Sequence, residues 1–175
     1  TQPALRPAAS QRRWTYDEFA AAFPETNEPT ELWDGEIIMA AAPFAAHQRI
    51  VLSLAELLKG HVKPRKLGAV FISPIDVVLS ARQVVQPDVV FVGSARQAIV
   101  QGPIRGVPDL VVEVISEGTW RRDRVDKKAL YEQFGVSEYW IVDPDSRRIE
   151  VFSLVGGSYR LHARGLDAVR VTSTG

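Results

Sequence analysis

Two acidic residues sit inside segments that otherwise avoid water: Asp88 in VVQPDVVFV and Glu113 in PDLVVEVIS. A carboxylate is costly to remove from water, and the cost falls only where a cation, a metal or several donors stand close. A helix-forming stretch, RDRVDKKALYEQFGV, follows and carries Lys127. Side chains alternate along a strand, so Asp88 shares a face with Val90 and Val92, and Glu113 shares one with Val111 and Ile115. On adjacent strands the two carboxylates would converge on a hard cation such as Mg²⁺, which takes oxygen ligands and keeps several waters. Such an ion polarises a phosphoryl oxygen and lowers the pKa of a bound water. A structural ion pair is the commoner explanation of either acid alone. Two of them, with a basic helix just downstream, point to chemistry on phosphate.

Lys127 and Tyr131 are four residues apart and share a helix face. An ammonium near two carboxylates can orient an attacking water and offset charge growing on phosphorus. Asp123 precedes Lys127 by four and is expected to cap the helix. Arg121, Arg122, Arg124, Lys127 and Lys128 form a charge run, commonly just solvated surface. Its arginines are also the best candidate for a local nucleic-acid patch. Glu31, Asp34 and Glu36 cluster around DG, where Asp34 is most simply a turn residue. Glu31 or Glu36 could add a ligand or a base, although exposed hairpin acids are commoner. His47 opens the first long helix and is a weaker candidate, while His61 and His162 show no supporting pattern. Trp120 could stack on a base; Tyr139 and Trp140 lie in an apolar strand and read as core. No GxSxG, Walker loop, GxGxxG or HExxH spacing occurs.

The elements that must position these groups follow from periodicity. Residues 1–13, rich in Pro, Ala and Arg, read as a loose arm before a single domain over 14–175. Thr15 with Glu18 predicts a capping box and a short helix ended by Pro24. ELWDGEIIMAA predicts a hairpin turning at Asp34-Gly35. Apolar residues at 50, 51, 54, 57 and 58 predict a core-packing helix over 46–59, stopped by Gly60. VFISPIDVVLS and VVQPDVVFVG read as two strands joined through 80–83, with breaks or bulges at Pro74 and Pro87. SARQAIVQGPIRGV is a connector able to hold a short helix, and PDLVVEVIS reads as a strand covered on both faces. The helix bearing Lys127 should stop at Gly135, before a closing meander with turns at Pro144-Asp145 and Gly156-Gly157. The pattern is α+β: a twisted central sheet flanked by two main helices.

Composition narrows the setting. The 175 residues carry 21 Lys plus Arg against 21 Asp plus Glu, so any nucleic-acid contact must rest on a local patch rather than a basic sheath. Such neutrality weakens repulsion between copies. The absence of cysteine removes disulfides, zinc–thiolate sites and thiol nucleophiles, and it suits a cytoplasmic protein. No apolar run reaches the roughly 20 residues needed to span a bilayer, and TQPALRPAASQRRW lacks the apolar core of a secretory signal.

The order of these stretches resembles the "putative restriction endonuclease" family of bacterial proteins, often called Uma-two, a branch of the PD-(D/E)XK nuclease superfamily. The matching pieces are ELWDGEI, His47 opening its helix, QPDVVFV, PDLVVEVIS, RDRVDKKALY and FGVSEYWIVDP, together covering residues 15–155. The resemblance implies a restriction-endonuclease-like mixed sheet with flanking helices and a Mg²⁺ (or Mn²⁺) site hydrolysing phosphodiesters. It assigns Asp88 to the PD aspartate and Glu113 to the (D/E) carboxylate. The superfamily lysine should stand two residues after that acid, where this chain has Ile115. The role passes to Lys127, with Lys128 the lesser choice, and Glu31 becomes an auxiliary acid. The resemblance also implies DNA as the favoured partner and a homodimer. A silent nucleic-acid-binding relative, or a structural protein of the same fold, is the alternative.

Overall fold

A computed structural model describes residues 12–23, 30–39, 43–116 and 121–166. Most of the expected arm, the Pro24 stop, Trp120 and the end of the chain lie outside these residues. Helix α1, Tyr16–Ala22, starts with the expected box: the Thr15 hydroxyl accepts from the Glu18 amide while the Glu18 carboxylate accepts from the Thr15 amide. Strands β1 (Thr30–Trp33) and β2 (Glu36–Met39) pair across Asp34-Gly35, both at positive φ as the tight hairpin turn demands. Helix α2 spans Ala45–Val62 and buries Val51, Leu54, Leu58 and Val62. It runs through Gly60 rather than stopping there. A Cβ at that position would meet nothing within 4 Å, so the glycine is an exposed weak point costing about 1 kcal/mol against alanine. Burying Val62 one turn on offsets that cost.

Each of the next two expected strands divides at its proline. The first becomes β3 (Gly68–Ile72) and β4 (Val77–Ser80), and the second becomes β5 (Gln83–Val85) and β6 (Val89–Gly93). β3 pairs with β6 and β4 with β5, so residues 68–93 form one long ribbon bent at Pro74 and Pro87. Neither proline can donate to a ladder, so the ribbon changes sheets there. A 3₁₀ turn over Ser94–Ile99 and the short β7 (Ile104–Arg105) lead to β8, Leu110–Val114, buried along its whole length. A π-helical segment, Arg122–Lys127, runs into helix α3, Lys128–Phe134, which ends at Gly135 in the left-handed conformation. The meander β9 (Glu138–Asp143), β10 (Arg148–Val155) and β11 (Ser158–Leu166) closes the described fold.

The architecture is α+β, with a central mixed sheet of order β11-β10-β9-β8-β6-β3 whose β8–β9 pair is parallel. A second sheet, β2-β1-β5-β4-β7, is an addition the periodicity does not reveal. Val51, Leu54 and Leu58 of α2 pack on Val89, Val112, Val114 and Trp140 on one face of the central sheet. Val90, Val111 and Tyr139 on the other face meet Tyr131 of α3 and Val77 and Val85 of the second sheet. Helix α1 covers Leu32, Val78 and Val84 on that second sheet. Tyr139 and Trp140 are thus core on opposite faces. No helix among the described residues is long and apolar enough to cross a membrane.

Candidate active site

The bend at Pro87 delivers Asp88 to the junction of the two sheets. Extending the β6–β8 register (Val89 opposite Val112) sets Asp88 across from Glu113. The Val114 amide donates to Asp88 Oδ2 at 2.8 Å, and His47 Nε2 stands 3.2 Å from the same oxygen and 2.9 Å from the Val114 carbonyl. His47 comes from the first turn of α2, which explains how a helix-start residue reaches the strands. Its Nδ1 is buried and has no partner among the described residues.

Glu113 is enclosed. Its Oε1 accepts from Lys127 Nζ at 2.9 Å and from the Tyr131 hydroxyl at 2.8 Å, so the shared face of Lys127 and Tyr131 converges on one oxygen. Lys127 Nζ also stands 3.0 Å from Glu31 Oε1 and 3.9 Å from Asp123 Oδ1. The Lys127, Glu31 and Glu113 side chains are 7%, 5% and 4% exposed, against 14% for Asp88, which makes the Asp88–His47 side the open end. Glu31 is therefore no exposed hairpin acid. β1 lies between β2 and β5, and Glu31 accepts from the Gln86 amide at 3.0 Å and the Trp33 indole at 2.9 Å. Asp123 is no cap either: the helix begins ahead of it, and Asp123 is buried inside the π-helical segment.

Four carboxylates thus surround one ammonium and one imidazole, and the electrostatics follow. Burial pushes Glu113 well above its ordinary value, and the charges of Asp123, Asp88 and Glu31 reinforce this against the pull of Lys127. Burial works in the same direction on Glu31, but Lys127, the Gln86 amide and the Trp33 indole outweigh it and hold that group low. For Lys127 burial favours the neutral amine, yet Glu113, Glu31 and Asp123 together raise it above its ordinary value. The Asp88 hydrogen bond raises His47 against its burial. Surplus negative charge is the common cause.

Other sequence candidates fall elsewhere. Lys128 Nζ lies 3.9 Å from the centre of the Phe152 ring, away from the acids. Arg124 lies 2.5 Å from Glu150 and 3.3 Å from Asp143, so its guanidinium is engaged by acids rather than presented as a phosphate contact. Arg121 is exposed and Arg122 half-buried. Two groups escaped the sequence reading, Trp33 and Gln86. The signal for Gln86 was available in its place beside Pro87-Asp88, where the amide of a strand-break residue seeks an acceptor. Among the described residues no three or more acid, histidine or cysteine groups gather as a ready metal cage.

Comparison with known proteins fits this geometry. The chain matches the family described as "Putative restriction endonuclease" (Uma2) over residues 16–174. It belongs to this family. Among solved structures it is similar to "a putative nuclease belonging to DUF820" from Anabaena variabilis ATCC 29413, with 23% identity, a TM-score of 0.67, and coverage of 80% of this chain and 79% of that one. At that identity the likeness establishes the fold shared with this Uma2 protein. No curated protein matches the chain.

Proposed function

We propose that this Uma2-family chain is a cytoplasmic nuclease that hydrolyses phosphodiester bonds of nucleic acid, DNA foremost, using a Mg²⁺-type ion (Mn²⁺ as substitute) held by Asp88 and Glu113. The observation that carries this is Lys127 Nζ at 2.9 Å from Glu113, on the strand beside Asp88. The donor set supports that ion. Asp88 Oδ2 and Glu113 Oε1 take all the protein donors recorded on these carboxylates, leaving one oxygen of each. Mg²⁺ characteristically binds through one or two carboxylates and keeps waters, whereas zinc and calcium need fuller protein cages. When bound, the ion would polarise the phosphoryl group and acidify a water.

The chain's own residues supply the remainder. Lys127, held protonated by its acids, sets a fixed cation where negative charge grows on phosphorus. Tyr131 and Lys127 pin Glu113, while the Val114 amide and His47 pin Asp88, so both carboxylates are held in place before any ligand arrives. Glu31, itself held by Trp33 and Gln86, orients the ammonium and acts as a positioning residue.

Cleavage of plasmid and RNA with Mg²⁺ or Mn²⁺, and calorimetric metal titration, test this with the intact protein, Lys127→Ala and Asp88→Asn. Loss of cleavage in both variants, with loss of metal binding in folded Asp88→Asn, is expected. Unchanged metal affinity in Asp88→Asn would overturn the assignment. A silent binding or structural relative is the second reading, favoured by an ammonium already bonded to two carboxylates. It predicts no cleavage with either metal.

A further inference from the structure

The outer face of α2 takes no part in the site. Leu57 and Leu52 of this helix are 73% and 53% exposed. Leu57 borders an open apolar groove that runs along Ala46, Ile50 and Leu54 and is closed on its far side by Val142 and Ile149. At about 100° per residue, Arg49, Ser53, Glu56 and Gly60 form the stripe facing away from the sheet, with Leu52 on one flank and Leu57 on the other. Arg49 and Glu56 are exposed, and neither has an ion-pair partner among the described residues. Seven positions apart, they stand about 10 Å from each other along the axis and cannot pair within one chain.

We infer that this face binds a second copy of the chain, with the two α2 helices crossing antiparallel about a two-fold axis at Ser53. The numbering is self-complementary around that residue. Arg49 meets Glu56 of the second copy, Ala46 meets Gly60, and Leu57 enters the other copy's groove beside Ile50. A two-fold makes each contact twice, so both cations and both acids find partners. Serine at the crossing, with glycine and alanine on either side of it, lets the backbones approach closely. A formal net charge of zero opposes no such approach. Single apolar residues on a surface need no explanation, but two leucines flanking an unpaired, oppositely charged stripe define a site.

Sedimentation of the full chain across the micromolar range reads the association, with thermal melts of each variant confirming that these exposed changes leave the fold intact. The expected result is a shift from one chain mass to two. R49E and E56R alone should each weaken pairing by about tenfold or more, because repulsive contacts replace attractive ones twice over. The double variant R49E/E56R should return to within about threefold of the intact chain. Leu57→Glu should weaken pairing as the single reversals do. A single-chain mass at every concentration would overturn the inference. So would a dimer indifferent to the reversals, or a double variant no better than its parents.

Discussion

Replacing Lys127 by methionine removes the one ammonium from a pocket holding Glu113, Glu31 and Asp123. The distances of 2.9 and 3.0 Å and the near-complete burial put the pair in the class where deleting one partner costs about 3–5 kcal/mol. Against a typical total of about 5–15 kcal/mol the protein stays folded but weakened. The melting point should fall by roughly 6–20 °C, at about 2–4 °C per kcal/mol for a chain of this size. The loss should depend on pH. Glu113 already lies well above its ordinary value through burial, and without the ammonium it rises further. A carboxyl with a raised folded-state pKa stabilises fully below its unfolded value and ceases to do so as pH rises through the folded one. The deficit should therefore be larger near about pH 8 than near about pH 5. Urea unfolding at both pH values measures it. Lys127→Met/Glu113→Gln, which removes both charges, should recover at least about 1 kcal/mol over the single variant. A deficit below about 1 kcal/mol at both pH values, or strict additivity in the double variant, would show that the buried cluster is not the coupled unit described above.

Glu31 has the opposite sign. Its lowered pKa contributes stability above its ordinary value of 4.5 that is lost as pH falls through the folded value. Intact protein should accordingly lose stability more steeply on acidification than Glu31→Gln, and parallel urea-midpoint curves from neutral to acid pH would contradict this. Gly60→Ala should stabilise by about 0.5–1 kcal/mol, since the helix is continuous there and a Cβ has open space. A lowered melting point would place the glycine in a role its geometry does not reveal.

Local signals were readable in the chain, and non-local ones were not. Alternation placed Asp88 with Val90 and Val92, and Glu113 with Val111, and the folded protein keeps all three valines in one core cluster on that face. Helical spacing brought Lys127 and Tyr131 to a common face. The capping box, the Asp34-Gly35 turn and the Gly135 stop are equally local, and each formed as read. Glu31 was misjudged because its burial depends on β5 lying against β1, a pairing between segments some fifty residues apart. The same ignorance of long-range pairing hid the second sheet and the donors on Glu31. Asp123 was misplaced for a different reason: the helix starts earlier than its cap-like residue suggested, and it starts with a wider turn.

That wider turn constrains how the sequence can drift. A π-helical stretch accommodates a residue that an α-helix would not. Excising one position there, such as the exposed Val125, would tighten the backbone and rotate one end of the helix against the other by about 100°. Asp123 and Tyr131 could then no longer both flank Lys127 as they do. Single-residue gaps, harmless along most surface helices, would here re-aim the amine, so natural variation in this turn should proceed by exchange of residues and not by change of length.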